Sequence, residues 1–396
     1  MIDGIARAAV VLIVPLFSCQ RLGDERDSIT AIFGEDQVMC ARSKSGQVKC
    51  WGDNYRLEYY PIDEFGWRVG DDEALADLPA LDIGGTLSEF DLIPSSKACM
   101  VLEGSLLKCW GKSGDYLLLL PKSQAVSFSA SENIFIDGLS DVSMGTWHAC
   151  MLVEGDVHCW GDNSFNVLGM SGPPVAFDDV RNRAAAGETP VDIGEPTIDV
   201  AVGYEHSCAL TEKGGVHCWG NFINTGYADP SLGSIIGDDE TPQMAGPLPF
   251  ATAVRGLNSL GTNTCGLLAT GGIVCWGSGS TVVDAEEVHV DSPFVGMSMG
   301  SGATCGVTMN GELHCWGQNT NGALGTGNSA SVPASAPAHI EPGEPIAEVV
   351  LSATTTCVRS TTGRVKCWGS HLAHGLQTEE DLGDDELVAD IPWLEF

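Results

Sequence analysis

A chain of 396 residues, 43% of them hydrophobic, has ample material for a core, which excludes global disorder. Acidic residues number 53 and basic residues 19, a formal net charge of −34. A surface of that sign is readily solvated and repels nucleic acid phosphates and anionic lipid headgroups, so no nucleic acid partner is expected; a basic protein or peptide is not excluded.

In chain order, the first feature concerns export. Ala8 to Phe17 is an apolar run of ten residues after a short start holding one acid, Asp3, and one base, Arg7. The run is too short to cross a bilayer as a stable helix but suits the core of a signal peptide. It ends Leu16-Phe17-Ser18-Cys19, which resembles a bacterial lipobox, where an apolar and a small residue precede an acylated cysteine. Phe17 is larger than that motif's usual residue, and Asp3 departs from its basic start. The resemblance implies a lipid on Cys19 and no other contact with a membrane. Ordinary secretion with Cys19 unpaired is the alternative. The expected organisation is a signal peptide over 1–18, a short linker over 19–27 and a single domain over 28–396.

Cys-Trp-Gly then recurs seven times, at Cys50, Cys109, Cys159, Cys218, Cys275, Cys315 and Cys367. A second cysteine precedes each copy: Cys40, Cys99, Cys150, Cys208, Cys265, Cys305 and Cys357. Six pairs are ten residues apart and Cys150–Cys159 is nine apart. Each reads as strand, turn, strand. A three-residue loop such as Lys44-Ser45-Gly46, with glycine supplying the left-handed residue, sets Cys40 opposite Cys50. A two-residue turn at Glu154-Gly155 does the same for the shorter pair. Opposed cysteines on antiparallel strands lie within disulfide reach. A metal site is the weaker reading. The residue before the second cysteine is Lys49, Lys108, His158, His217, Val274, His314 or Lys366, which suits an outward-facing strand position better than a ligand. No pair has zinc-knuckle spacing. Fourteen paired cysteines fit an oxidising compartment, so the protein is expected outside the cytoplasm, secreted or in a bacterial cell envelope.

Upstream of several pairs lies a β-rich run ending in glycine, such as Val200-Ala-Val-Gly203; downstream come a glycine-containing turn and a proline-marked piece such as Thr189-Pro-Val-Asp-Ile-Gly194. That makes about four strands per unit at a Trp-to-Trp period of about 53 residues, as in propeller blades. Cys208 to Gly220 and Trp316-Gly-Gln-Asn-Thr-Asn-Gly-Ala-Leu-Gly325 resemble regulator-of-chromosome-condensation repeats, and the paired cysteines resemble that family's exported bacterial branch. The resemblance spans nearly the whole chain and implies an all-β, seven-bladed propeller. It departs from the pattern after Gly52, Gly111 and Gly277, where the Asn-x-x-Gly-x-Leu-Gly turn is altered or lost. Because the chain ends on a proline-marked strand and begins without one, the C-terminal strand is expected to pair into the first blade.

Function is less legible. The seven tryptophans read as packing anchors. No nucleophile–base pair, phosphate loop or repeated carboxylate pair stands out, so no catalytic residue, cofactor or metal is assigned and an enzyme is not expected. The family resemblance implies a rigid platform with variable loops, hence binding of a protein or peptide by what is expected to be a monomer. Relatives that inhibit an enzyme, as β-lactamase inhibitor protein II does, or that exchange guanine nucleotides, supply the alternatives. The first long insertion carries Tyr55, Tyr59, Tyr60, Phe65 and Trp67, candidate partner contacts if they are exposed and loop packing if they are not.

Overall fold

The computed structural model describes residues 28–396 apart from 36, 55–59, 61–63, 65, 94–96, 112–130, 132, 176–189, 279–280 and 283–284. The expected signal peptide over 1–18 and Cys19 lie outside the described residues.

Each Cys–Cys hairpin forms as its spacing dictates. Cys40 faces Cys50 and Cys150 faces Cys159, and all seven pairs are disulfides. In the short pair Glu154 and Gly155 both adopt left-handed backbone, so the deleted residue shortens the turn and leaves the register intact.

A third strand precedes every hairpin, giving seven consecutive antiparallel sheets. These first strands are Ile29–Glu35, Leu87–Ile93, Leu139–Met144, Thr197–Val202, Val254–Leu260, Phe294–Met299 and Ile346–Leu351. They stand side by side around a channel of about 330 Å³. Five sheets carry a fourth, outer strand; in the third and seventh it shrinks to a single bridge, Gly161 to Val175 and Gly369 to Leu382. The molecule is a seven-bladed β-propeller.

One bond recurs between blades. The amide of the first residue or so of an inner strand donates to the carbonyl of the preceding blade's hairpin glycine: Thr197 to Gly155 (2.9 Å), Val254 to Gly214 (3.0 Å), Phe294 to Gly271 (2.9 Å) and Ile346 to Gly311 (2.8 Å). Ile29 to Gly363 (3.1 Å) closes the ring with the same bond. The glycine is required twice over, for its positive φ and because a Cβ on Gly363 would sit 2.9 Å from that of Ser28.

Closure therefore differs from the expected strand exchange. The first blade is built only from residues 29–69, and the C-terminal segment forms no strand but lies on the seventh, where the Leu394 amide donates to Val365 O at 2.8 Å. The physical reason is that this junction needs nothing the other junctions lack. The chain ends still meet through side chains: Phe396 packs edge-on against Trp51, ring centroids 5.6 Å apart.

The inner strands would leave edge amides unsatisfied, and side chains of the preceding blade fill them. Ser143 Oγ accepts from Val202 N (3.2 Å), Asn258 Oδ1 from Met299 N (3.0 Å) and Ser298 Oγ from Leu351 N (2.9 Å). Asp199 Oδ2 accepts from Leu257 N (3.1 Å), and Glu348 Oε2 from Ile32 N (3.2 Å) and Arg359 Nε (2.9 Å).

The lysine that precedes the second cysteine is not an outward, solvated position. Lys49 Nζ donates to Leu75 O and Ala76 O, both at 2.9 Å; Lys366 Nζ is buried, donating to Val388 O (2.9 Å) and lying 4.8 Å over the Trp393 ring. The proline-marked segment covers this face of the hairpin and gives the ammonium its partners. Burial holds both amines below the ordinary lysine range.

Candidate protein-binding face

The two ends of the ring differ. One carries the tight Cys–Cys hairpin loops. The other carries the turns between the first two strands and the loops that follow each Trp-Gly, which bond to one another: Asp162 N to Trp147 O (2.9 Å) and Asn221 N to Glu205 O (2.8 Å). This second face is the turn face.

An asparagine three residues past the tryptophan builds the regular turns. Asn163 Oδ1 accepts from Leu168 N (3.1 Å) and its Nδ2 donates to Met170 O (2.9 Å) and Gly172 O (3.0 Å). Asn319 Oδ1 likewise accepts from Leu324 N at 2.8 Å, and its amide donates to Thr326 Oγ1 at 3.0 Å. The turn then offers a carbonyl to the next blade's tryptophan. Trp219 Nε1 donates to Val167 O (2.7 Å), Trp368 to Ala323 O (3.0 Å) and Trp51 to Ala373 O (2.8 Å). All seven repeat tryptophans are buried, so these rings clamp adjacent blades and are not offered to a ligand.

Other aromatic rings on this face stay in water. Trp147 is 52%, Tyr204 41% and Phe165 40% exposed. With Asp162, Ser164 and Glu205 they line a cleft of about 300 Å³ between the third and fourth blades. Tyr204 also borders a second cavity of about 590 Å³, lined by Met299, Trp316 and the backbone of Gly300 to Gly302. The two cavities together border blades three to six.

Two family models described as Regulator of chromosome condensation (RCC1) repeat match the chain, one at residues 198–225 and 294–323, the other at 154–210 and 310–358. Together these matches cover residues 154–225 and 294–358, which are similar to regulator-of-chromosome-condensation repeats. The matched stretches hold both asparagine-centred turns and none of the altered ones after Gly52, Gly111 and Gly277. The mouse (Mus musculus) RCC1-like G exchanging factor-like protein is 29% identical over 167 residues, 39% of this chain and 34% of that protein. The chain thus matches about a third of that relative's length. Human WBSCR16 superposes with a TM-score of 0.65 at 15% identity, covering 92% of this chain and 94% of that one. Prp20p from Saccharomyces cerevisiae superposes with a TM-score of 0.62 at 16% identity, covering 93% and 86%. At these identities the likeness is one of fold.

The candidate contacts of the first insertion separate. Tyr55, Tyr59 and Phe65 lie outside the described residues. Tyr60 is buried and is not available to a partner. It takes the place of the turn leucine in this first repeat: Asn54 Oδ1 accepts from its amide (3.1 Å), and its hydroxyl joins Cys50 N (3.3 Å) to Pro79 O (3.2 Å). Burial pushes that phenol up to about 12. Trp67 is 66% exposed at the turn face, where Asn54 N donates to its carbonyl at 2.9 Å.

Side chains suited to chemistry are engaged in structure. Asp381 Oδ1 accepts from both the amide and Nδ1 of His371, each at 2.8 Å, and its other oxygen accepts from Asn321, which joins the seventh blade's turn to the sixth's. Three acidic trios each gather their carboxylates within 4.8 Å: Asp71, Asp72 and Glu73; Asp238, Asp239 and Glu240; Asp384, Asp385 and Glu386. Each follows a positive-φ glycine, and Glu73 and Glu386 turn back to accept that glycine's amide, at 3.0 and 2.9 Å.

Proposed function

We propose that the protein is an exported, rigid platform that binds another protein or a peptide through its turn face. The carrying observation is the contrast among its aromatics: the repeat tryptophans are buried, while Trp147, Phe165 and Tyr204 stand exposed together around a cleft. Exposed, rigid aromatic surface on a disulfide-stapled scaffold is what protein recognition uses. The Prp20p structure was reported together with that protein's binding to Gsp1p and histones, so the same fold serves protein partners elsewhere. Catalysis is not part of the proposal, since the His371–Asp381 pair is consumed in joining two blades.

The test is affinity capture from the native cell envelope with the wild-type chain and a Trp147→Ala/Tyr204→Ala variant. A reproducible partner retained by the first and lost by the second supports the reading; a partner held equally by both contradicts it. Anchoring through Cys19 joins the proposal on the strength of the Leu16-Phe17-Ser18-Cys19 motif and the paired cysteines. Mass spectrometry of the mature N-terminus should find a lipid on Cys19, and a Cys19→Ser variant should lose membrane association. An uncleaved or unmodified terminus would contradict it.

A further inference from the structure

The cleft between the third and fourth blades is more than an apolar patch. Three rings wall it, and two carboxylates, Asp162 and Glu205, stand among them. Both carboxylates are held in place: Asp162 Oδ1 accepts from Ser164 N at 2.6 Å, and Glu205 Oε2 from Asn221 Nδ2 at 2.7 Å. Among the described residues no ion pair neutralises either one.

One wall is strained. Phe165 has φ 63° and Asn166 φ 53°, both left-handed. At the matching positions of the sixth blade stand Asn321 (φ 55°) and Gly322 (φ 72°), residue types that adopt this backbone readily. A phenylalanine there is an outlier, and its ring stays 40% exposed, so burial does not offset the strain. The backbone holds the ring out at the cleft instead.

We propose that this cleft receives the side-chain cation of a lysine or arginine on a basic protein partner, which rests on the protein-binding reading above. Ring faces carry negative electrostatic potential and attract a desolvated ammonium or guanidinium; Asp162 and Glu205 supply the opposite charge. A volume of about 300 Å³ suits one long side chain. The net charge of −34 draws basic partners to the surface, while the rings add what general attraction lacks, a preference for a cation in one place. A neutral side chain of equal length would cover the carboxylates without pairing them.

The experiment follows the Trp147 indole N–H resonance of the folded full chain as the peptide acetyl-Lys-Lys-Lys-amide is added, beside the same peptide acetylated on each side-chain amine. The expected result is a saturable shift with the basic peptide and at least a five-fold weaker response to the acetylated one. Phe165→Asn copies the sixth blade and should fold at least as well as wild type, yet bind the basic peptide roughly two- to five-fold more weakly. Glu205→Gln, which retains an oxygen for Asn221, should weaken it by a similar factor. Equal response to both peptides, a Trp147 resonance that does not move, or full affinity in Phe165→Asn would each overturn the assignment. If envelope capture depends on Trp147 and Tyr204 while the basic peptide ignores the cleft, the cation subsite falls and the platform stands.

Discussion

The turns of the third and sixth blades, residues 163–169 and 319–325, trace the same backbone with different residues. Both hang from a buried asparagine, both place two left-handed residues at the tip and both present a carbonyl to the next blade's tryptophan. The sixth blade uses Asn-Gly at the tip, while the third uses Phe-Asn and leaves the ring in water. Below them the junctions differ again. Under the third turn, His148 Nε2 bonds to Ser207 Oγ at 2.7 Å, and Ser207 bonds to Val167 O at 3.3 Å. Under the sixth, Thr356 Oγ1 bonds directly to Ala323 O at 2.6 Å, and Ala303 stands where the histidine would be. What is shared holds the ring together; what differs adds a task or a sensitivity at the third blade.

The largest effect should come from the shared part. Trp219→Ala and Trp368→Ala each remove a buried ring and one of two donors to a turn carbonyl, the other being Ser207 or Thr356, so each should cost about 3–5 kcal/mol in denaturant unfolding. The two losses should be similar. A small loss at one site alone would break the equivalence of the junctions.

The next effect is one of pH and belongs to the third and fourth blades. His148 and His206 are buried, and desolvation pushes them down to about 3 and about 4. His206 repeats the joint, bonding to Thr264 Oγ1 at 2.7 Å. In the unfolded chain each imidazole titrates near ~6.5. The unfolded state therefore takes up the proton first, so the stability these groups permit is complete above that pH and declines as pH falls toward 4 and 3. The slope is about 1.4 kcal/mol per pH unit for each histidine. Hydrogen exchange, corrected for intrinsic rates, should show opening free energies over His148–Val153 and His206–Thr211 falling by roughly 2 kcal/mol between pH 6.5 and 5. Ala303–Thr308 should change less; an equal fall there would remove the histidines as the cause.

The smallest effect sharpens the difference at the tip. Converting Phe165-Asn166 to the Asn-Gly of the sixth blade should raise stability by about 1 kcal/mol, read as a higher denaturation midpoint. A loss would mean that the exposed ring packs more than its exposure indicates.

Much of this architecture was legible because it is local. Cysteines ten residues apart with a glycine between them fix a hairpin, and the nine-residue pair fixes its own turn through Glu154-Gly155. The burial of Lys49 and Lys366 was not legible, since their partners, Leu75 and Val388, lie more than twenty residues onward in a segment whose course no local pattern gives. Closure was misread because the chain ends looked unlike other junctions, whereas the Ile29–Gly363 bond is the ordinary one. At the candidate site, the aromatic insertion after Gly52 drew the eye, yet Tyr60 serves its own turn. Trp147, Phe165 and Tyr204 were missed because they sit on three separate loops, two of the third repeat and one of the fourth, and only the folded ring brings them together. One signal was present: aligned on the turn asparagine, Phe165 falls where the sixth blade has Asn321, a position that resists a bulky side chain.

The central claim is that the turn face is the working face. Its most direct test is hydrogen exchange of the protein alone and in complex with the partner captured from the envelope. Protection should appear over 145–148, 163–168 and 203–206, with the opposite face unchanged. Protection confined to the hairpin loops 44–46, 154–155, 213–215 and 361–363 would contradict it.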